Sequence, residues 1–282
     1  MLIDCHTHAF ADKIADRAIA HLSDYYKIQI PRGGRFGDLL AAAEEVRLDA
    51  FILLVAATRP EQVRPANDWI LRLAGLSADE IRREFGVSHV PRVVPFGTFH
   101  PGDSNWLTEI KRLRAAGIKG IKLHPEFQGF DLANPVLHDF FAEVERDFVL
   151  LVHIGDRVVA ETNFSTPRKV AAILDNFPKA RVVAAHMGGY RFWDSAYEVL
   201  AGRDVYLDTS SVFPHLDIKG FQRLVSKHGT GRILFGSDFP VSSPQLDLNV
   251  LNQIEWLTDA EKQRIRGENC AELLGLTPPQ KG

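Results

Sequence analysis

Eight short apolar segments of strand length recur from one end of the 282-residue chain to the other. They do not alternate strictly in polarity, which indicates strands that are buried on both faces, as in a parallel sheet covered by helices. The segments between them carry helix signals: Thr166 is a cap, Pro167 takes the first helical position and Pro178 terminates. The apolar segments are LIDC, AFILLVAA, VPRVVPFG, GIKGIKLH, FVLLVHI, ARVVAAHM, DVYLDTS and RILFGSD. Strands that alternate with helices in this way predict βαβ units.

Eight such units predict one α/β domain over residues 1–282, folded as a single (β/α)8 TIM barrel with a metal site at the C-terminal ends of its strands. The alternative is an open doubly wound sheet. No GxGxxG or GxxxxGK sequence follows a strand, which removes the usual signature of that alternative. Two long connections, 9–49 and 58–89, leave from strand ends on the side of the site. We expect them to contain lids or substrate walls beside ordinary outer helices.

Composition excludes several classes of partner. A net charge of −3 without a Lys/Arg cluster argues against nucleic acid. No apolar stretch approaches the roughly 20 residues of a membrane helix, and the start MLIDCHTH lacks the basic lead of a secretory signal. Cys5 and Cys270 are too few for a disulfide framework. We therefore expect a cytoplasmic protein with a small-molecule substrate and no nucleic-acid or membrane partner, for which a homodimer is one assembly to test.

Histidines and an aspartate lie where strands end. His6 and His8 are two residues apart, so they share a strand face and can take adjacent positions around one zinc ion. His153 ends FVLLVH, His186 ends ARVVAAH and Asp238 ends RILFGSD. The C-terminal strand ends form the catalytic face of a barrel, where such residues are not needed for the core. Each histidine alone could be a surface or structural residue, but together they predict a metal site.

The fourth apolar segment, GIKGIKLHP, places Lys122 and His124 on one face and the aliphatic residues between them on the other. If the aliphatic residues pack on helices, Lys122 and His124 project into the barrel. Burying an ionised lysine without a partner destabilises the fold by about several kcal/mol, because the charge loses its hydration. Lys122 therefore needs a carboxylate, a substrate anion or a chemical modification. Pairing with a buried acid such as Asp4 is the structural alternative.

These motifs, taken together, resemble the amidohydrolase superfamily, and in particular its amidohydrolase-2 type. The resemblance rests on DxHxH from Asp4, KLHP from Lys122, the strand-five histidine, AHMGG around His186 and GSDFP around Asp238. It extends over the whole chain to the closing ENCAELLGL, which is similar to the last helix of the family. Each motif alone is weak, but their order around eight strands is specific. The amidohydrolase-2 type includes both hydrolases and non-oxidative decarboxylases.

The resemblance implies a role for each matching position. The expected metal ligands are His6, His8, His153 and Asp238. His186 would bind a second metal or orient water and substrate. Lys122 lies where some binuclear members carry a carbamylated lysine that bridges two metals, so Lys122 and His186 would be further ligands if two ions bind. We expect one zinc ion, with two ions or another divalent transition metal as the alternatives.

The expected reaction is hydrolysis of an amide, lactone or ester-type bond by a metal-activated water. Asp238 would accept the proton of the water and pass it to the leaving group, and His186 would stabilise the oxyanion or orient the nucleophile. Lys122, His124 and Arg157 are the candidate substrate-binding residues, since a cation near the metal suits a carboxylate. One alternative is a non-oxidative decarboxylase of a small carboxylic acid at the same site. Another is a metal-free barrel that only binds its ligand.

Further polar and aromatic residues follow the strand ends, and each is as readily an ordinary loop residue. They are Glu126, Gln128, Tyr190, Arg191, Trp193 and Phe239. His100 could also reach the site, although a structural role is favoured. The remaining histidines fall in helices or connections and are expected to be solvated: His21, His89, His138, His215 and His228.

Overall fold

The computed structural model describes residues 1–277, and its eight parallel strands form one sheet in the order β1 to β8. The strands are β1 (Ile3–His8), β2 (Ala50–Leu54), β3 (Arg92–Thr98), β4 (Gly120–Leu123), β5 (Val149–Val152), β6 (Arg181–Ala184), β7 (Tyr206–Asp208) and β8 (Ile233–Leu234). Strands that follow one another in sequence are therefore neighbours in space, as successive βαβ units require.

The sheet returns on itself between the end of β8 and β1. The backbone N–H of Cys5 donates to the carbonyl of Phe235 at 2.9 Å, and that of Asp238 donates to the carbonyl of His6 at 2.8 Å. A parallel bridge also joins Thr7 and Phe239. The architecture is the (β/α)8 barrel that the eight apolar segments predict. Residues 278–282 of the predicted domain lie outside the described residues.

Helices follow the strands around the barrel. They are α1 (Asp12–Tyr26), α2 (Phe36–Glu45), α3 (Val63–Ala74), α4 (Ala78–Phe85), α5 (Trp106–Ala115), α6 (Pro125–Gln128), α7 (His138–Val144), α8 (Pro167–Asn176), α9 (Trp193–Val199), α10 (Ile218–His228), α11 (Pro244–Gln253), α12 (Asp259–Gln263) and α13 (Asn269–Leu274). The predicted start of α8 is confirmed, since the hydroxyl of Thr166 accepts from the N–H of Lys169 at 3.3 Å. The closing segment forms a π-helical turn, Arg264–Glu268, followed by α13.

Successive strand residues divide between two cores. Phe51 and Leu53 of β2 pack outward with helix residues such as Leu39 and Ile70. Ile52, between them, packs in the barrel interior with residues of the other strands. Burial on both faces explains why the apolar segments do not alternate in polarity.

Each of the two long connections contains a helix that packs on the barrel and residues that line the cavity at the C-terminal strand ends. In 9–49, α2 buries five of its residues, whereas α1 buries only Ala15. In 58–89, α3 packs against β3, and α4 is a short helix with several charged residues. The remaining faces of α1 and α3 lie over the C-terminal strand ends. No helix among residues 1–277 combines the length and apolarity that crossing a bilayer requires.

Candidate active site

The C-terminal ends of the strands open into a cavity of about 1100 Å³. Its walls come from α1, from α3 and from the loops that follow β2, β6 and β8. Its polar floor is lined by His8, His124, His153, His186 and Asp238. This is the face on which (β/α)8 barrels carry their active sites.

His6, His8 and Asp238 meet at this floor, with one ligand atom of each within 4.8 Å of the others. Oδ1 of Asp238 lies 3.4 Å from Nε2 of His6 and 3.6 Å from Nε2 of His8. The other carboxylate oxygen, Oδ2, accepts a hydrogen bond from the hydroxyl of Ser211 at 2.6 Å. Residues separated by more than two hundred positions in sequence thus converge on one carboxylate, which stands at the mouth of the barrel.

The two histidines of β1 reach this point through an irregular strand. The pairing register between β1 and β2 shifts between Asp4 and Thr7, so strict alternation does not hold there. Cys5, which alternation places opposite the histidines, packs in the barrel interior instead. Gly236 lets the end of β8 approach His6, because a Cβ there would lie 2.9 Å from the Cβ of His6.

Asp208 orients His6 from below the floor. Nδ1 of His6 lies 2.9 Å from Oδ2 of Asp208, and Nε2 of His6 lies 3.1 Å from Nζ of Lys122. A lysine ammonium only donates, so Nε2 accepts and Nδ1–H donates to the carboxylate, a tautomer assigned from these partners. Asp208 is not among the site residues predicted from the sequence. It ends the apolar run of β7 just as Asp238 ends that of β8, and this signal would have identified it.

Lys122 is fully buried inside the barrel, where the pattern of β4 predicts it. Burial lowers its pKa to about 8, against the opposing effect of the Asp238 and Asp208 carboxylates. Its ammonium thus lies beside His6, one of the candidate ligands.

Asp4 is not the partner of Lys122. Its Oδ1 instead accepts hydrogen bonds from the backbone N–H groups of His6, at 3.1 Å, and Ser237, at 3.0 Å. Asp4 thus joins the backbone of β1 to that of the loop after β8. Burial raises the pKa of Asp4 to about 7.

His153 lies beside His186 rather than in the group formed by His6, His8 and Asp238. Nδ1 of His153 is 2.9 Å from Nε2 of His186, and the ring of His124 stacks on His153 with centroids 3.8 Å apart. Burial lowers the pKa of His153, with further lowering from His124 and His186. These three predicted residues therefore form one imidazole cluster on the floor.

The predicted substrate residue Arg157 lies away from this floor. It is exposed, and its guanidinium lies over the ring of Tyr25 at 5.0 Å from the centroid. Tyr190 lines the cavity, and its hydroxyl is 3.3 Å from Nε2 of His215. His215 was expected to be solvated, and its side chain is exposed at the edge of the cavity.

Other candidates have structural contacts. Oε1 of Glu126 accepts from the backbone N–H of Ser165 at 2.9 Å, and Nε2 of Gln128 donates to the carbonyl of Phe99 at 2.6 Å. His228 was expected to be solvated, but it is buried, and burial lowers its pKa to about 4. Its Nδ1 accepts a hydrogen bond from the backbone N–H of Gly202, in the loop before β7, at 3.2 Å. This contact joins residues distant in sequence, so the local sequence around His228 does not predict it.

The donors at the floor fit a divalent transition metal. Two imidazole nitrogens and a carboxylate oxygen, from His6, His8 and Asp238, match the three protein ligands of catalytic zinc sites, which keep a fourth position open. A second group, His6, His186 and Asp208, lies within the same distance limit. In it, the contact between His6 and Asp208 is the hydrogen bond described above. Such a carboxylate typically orients a metal-binding histidine from the outer shell.

The chain matches the model of the family described as amidohydrolase over residues 3–276. No curated protein matches the sequence. Among solved structures, 5-carboxyvanillate decarboxylase from Sphingomonas paucimobilis is 17% identical with a TM-score of 0.67, covering 98% of this chain and 99% of that one. A dihydroxybenzoic acid decarboxylase from Polaromonas sp. JS666, with bound manganese and the inhibitor 2-nitroresorcinol, is 14% identical with a TM-score of 0.65, covering 99% and 98%. A candidate 2-pyrone-4,6-dicarboxylic acid hydrolase from Pseudomonas putida is 14% identical with a TM-score of 0.64, covering 99% and 98%. The family match spans nearly the whole described chain, and the chain belongs to the amidohydrolase family.

Proposed function

We propose that the protein is a metal-dependent hydrolase that cleaves an amide, lactone or ester-type bond in a small molecule. One observation carries the proposal: a single carboxylate oxygen of Asp238 faces Nε2 of both His6 and His8 at the floor of the cavity. Family membership supports the enzyme class, and a solved structure with a hydrolase name supports the reaction.

Asp238 is the proposed general base. Burial raises its pKa, but His6, His186, His8 and the hydrogen bond from Ser211 outweigh burial and hold the pKa at about 2. The group is therefore an ionised acceptor at neutral pH, ready to take a proton from water and return it to the leaving group. The hydrogen bond from Ser211 to Oδ2 fixes the orientation of the carboxylate.

His6 and His8, with Asp238, are the proposed ligands of one zinc ion, and His153 stays a candidate fourth ligand. When bound, a zinc ion supplies a lowered pKa for water and polarises the scissile carbonyl. Asp208 holds the tautomer of His6 that leaves Nε2 free of a proton. The manganese in one similar structure supports a divalent cation without deciding which one.

His186 is the proposed positioning residue for water or substrate. Its Nδ1 lies 2.9 Å from the carbonyl of Ser210 and its Nε2 lies 2.9 Å from His153. Both nitrogens thus have protein partners, which fix the ring beside Asp238. We propose that this fixed ring shapes the floor on which the scissile group lies.

Activity on a panel of aryl esters, lactones and anilides, measured with zinc-loaded protein, tests the proposal. Asp238→Asn should lower kcat by at least about a thousandfold, because the general base is lost. Asparagine tolerates the positive φ of 62° at this position, so the variant should fold. The control is Asp175→Asn, an exposed carboxylate of α8 that pairs with Arg203. Full activity of Asp238→Asn on a cleaved substrate would overturn the proposal.

Decarboxylation is the second candidate, because two of the similar solved structures are named as decarboxylases of aromatic acids. In that case the floor would hold a substrate carboxylate and no water would be consumed. Release of carbon dioxide from hydroxylated benzoic acids, without turnover of any ester, lactone or amide, would favour this reaction over hydrolysis.

A further inference from the structure

The cavity above the floor has two kinds of wall. One is apolar and aromatic, and it includes Ile14, Leu22, Tyr26, Val55, Trp69 and Phe127. The other consists of four exposed cationic side chains, Lys13, Arg17, Arg59 and Arg72. Because these four are exposed while the histidines of the floor are buried, the cations stand at the solvent edge of the cavity.

Helix α1 contributes to both walls through its periodicity. Side chains four residues apart lie above one another on a helix. Ile14, Ala18, Leu22 and Tyr26 form an apolar row at that spacing, and all four line the cavity. Lys13, Arg17 and His21 form an adjacent polar row, also along the cavity. Since α1 buries only Ala15 in the core, this face is not needed to hold the helix to the barrel.

The four cations have no carboxylate partner within the described chain. Two of the acids near them in sequence are engaged elsewhere: Asp16 pairs with Arg35 at 2.8 Å, and Asp68 pairs with Arg112 at 3.0 Å. Asp12, next to Lys13, makes no ion pair with the described residues but does not line the cavity. Glu61 is then the one unpaired acid of the lining among residues 1–277, against four cations. The whole chain carries a net charge of −3, so this local excess of positive charge is not a general property of its surface.

We infer that the cavity takes a small molecule with an apolar body and an anionic group, the anionic group binding at the cationic edge. The inference rests on the proposed function, since it names the substrate class of the same site. The apolar body fills the section between α1 and α3, and the bond to be cleaved lies toward the floor. Arg17 and Arg72, on opposite helices, supply charge-assisted hydrogen bonds to a carboxylate, sulfonate or phosphate.

Two fluorescent probes that differ by one sulfonate test this inference. The anionic probe is 8-anilinonaphthalene-1-sulfonate, and the neutral probe is N-phenyl-1-naphthylamine, the same skeleton without the sulfonate. Neither has a bond that the proposed reaction would cleave, so the result does not depend on whether the enzyme is a hydrolase. Binding of each to the full chain, before and after metal chelation, is followed by probe emission and by quenching of the tryptophan fluorescence.

The variant Arg17→Gln/Arg72→Gln should weaken binding of the anionic probe about tenfold, the scale of two partly exposed ion pairs, and leave the neutral probe unchanged. The control Arg83→Gln/Arg146→Gln, two exposed arginines outside the cavity, should change neither. Ala18→Phe fills the apolar row and should weaken both probes. Equal affinities of the anionic probe for the wild type and the Arg17/Arg72 variant would overturn the inference. Undiminished binding to Ala18→Phe would also overturn it, because the cavity would then not be the site that selects the anion.

Discussion

Nδ1 of His153 lies 2.9 Å from Nε2 of His186, at the centre of the imidazole cluster on the cavity floor. The outer nitrogens of the pair face carbonyl oxygens, those of Gly155 at 3.1 Å and Ser210 at 2.9 Å. If both outer nitrogens donate, two lone pairs face each other in the middle. A metal cation bound to one of these nitrogens relieves that repulsion, which agrees with a metal site at the floor.

This relationship predicts the effect of His186→Gln. If His186 only positions water or substrate, the variant should keep the zinc content of the wild type while kcat falls about a hundredfold. Elemental analysis of the purified variant measures the first quantity, and steady-state kinetics the second. His138→Gln, an exposed histidine of α7, is the control. A loss of half of the metal would show that His186 is a ligand of a second ion.

Asp208→Asn should weaken metal binding. The amide cannot accept the Nδ1–H of His6 with the strength of a carboxylate, so the ring is no longer fixed in the tautomer that presents Nε2. We expect a loss of about 10- to 100-fold in zinc affinity, the usual effect of removing such a partner. Competition with a chelator measures it, and Asp175→Asn serves as the control. Unchanged affinity would remove the orienting role assigned to Asp208.

Gly155 joins the loop after β5 to the loop after β6. It has a φ of +90°, and a Cβ there would lie 2.3 Å from the carbonyl oxygen of Tyr190. Gly155→Ala should therefore lower the free energy of unfolding by more than about 2 kcal/mol, from strain and a backbone clash. Gly231→Ala is the matched control, because its Cβ would meet nothing within 4 Å. Thermal unfolding of both decides the point, and equal shifts in Tm would refute it.

Asp247, on α11, makes the stability of the fold depend on pH. Burial raises the pKa of its carboxyl to about 8, and its Oδ2 lacks a partner among the described residues. The folded state therefore binds more protons than the unfolded state between about pH 4 and pH 8, so the stability contributed by this group falls as the pH rises through that range. Asp247→Asn should remove this fall.

We expect Asp247→Asn to be more stable than the wild type at pH 8 by at least about 2 kcal/mol, and to lose that advantage near pH 4. Urea unfolding at both pH values measures it. Asp139→Asn, a carboxylate exposed on α7, should show no such crossover. Parallel stability profiles of Asp247→Asn and the wild type would contradict the account.

Strand-end polarity was the most informative signal in the sequence. It located His8, His153, His186 and Asp238 on one face, because the barrel collects every C-terminal strand end there. The two-residue repeat of β4 likewise placed Lys122 inside the barrel. These features follow from backbone geometry alone, which is why a single sequence suffices for them.

Side-chain pairing across the barrel could not be predicted from the sequence. The bond between His6 and Asp208 spans 202 positions, and the contact of His153 with His186 rather than His6 is decided by ring rotation and packing. The irregular register of β1 is likewise a consequence of closure against the end of β8. Arg157 was favoured for its place after β5, but its side chain turns toward Tyr25 instead.

Anomalous diffraction at the zinc edge, from crystals of zinc-loaded protein, tests the central claim most directly. The account predicts one strong peak within bonding distance of Nε2 of His6, Nε2 of His8 and a carboxylate oxygen of Asp238, and no such peak in crystals of His8→Gln. A peak elsewhere in the barrel, or none at this floor under full loading, would contradict it.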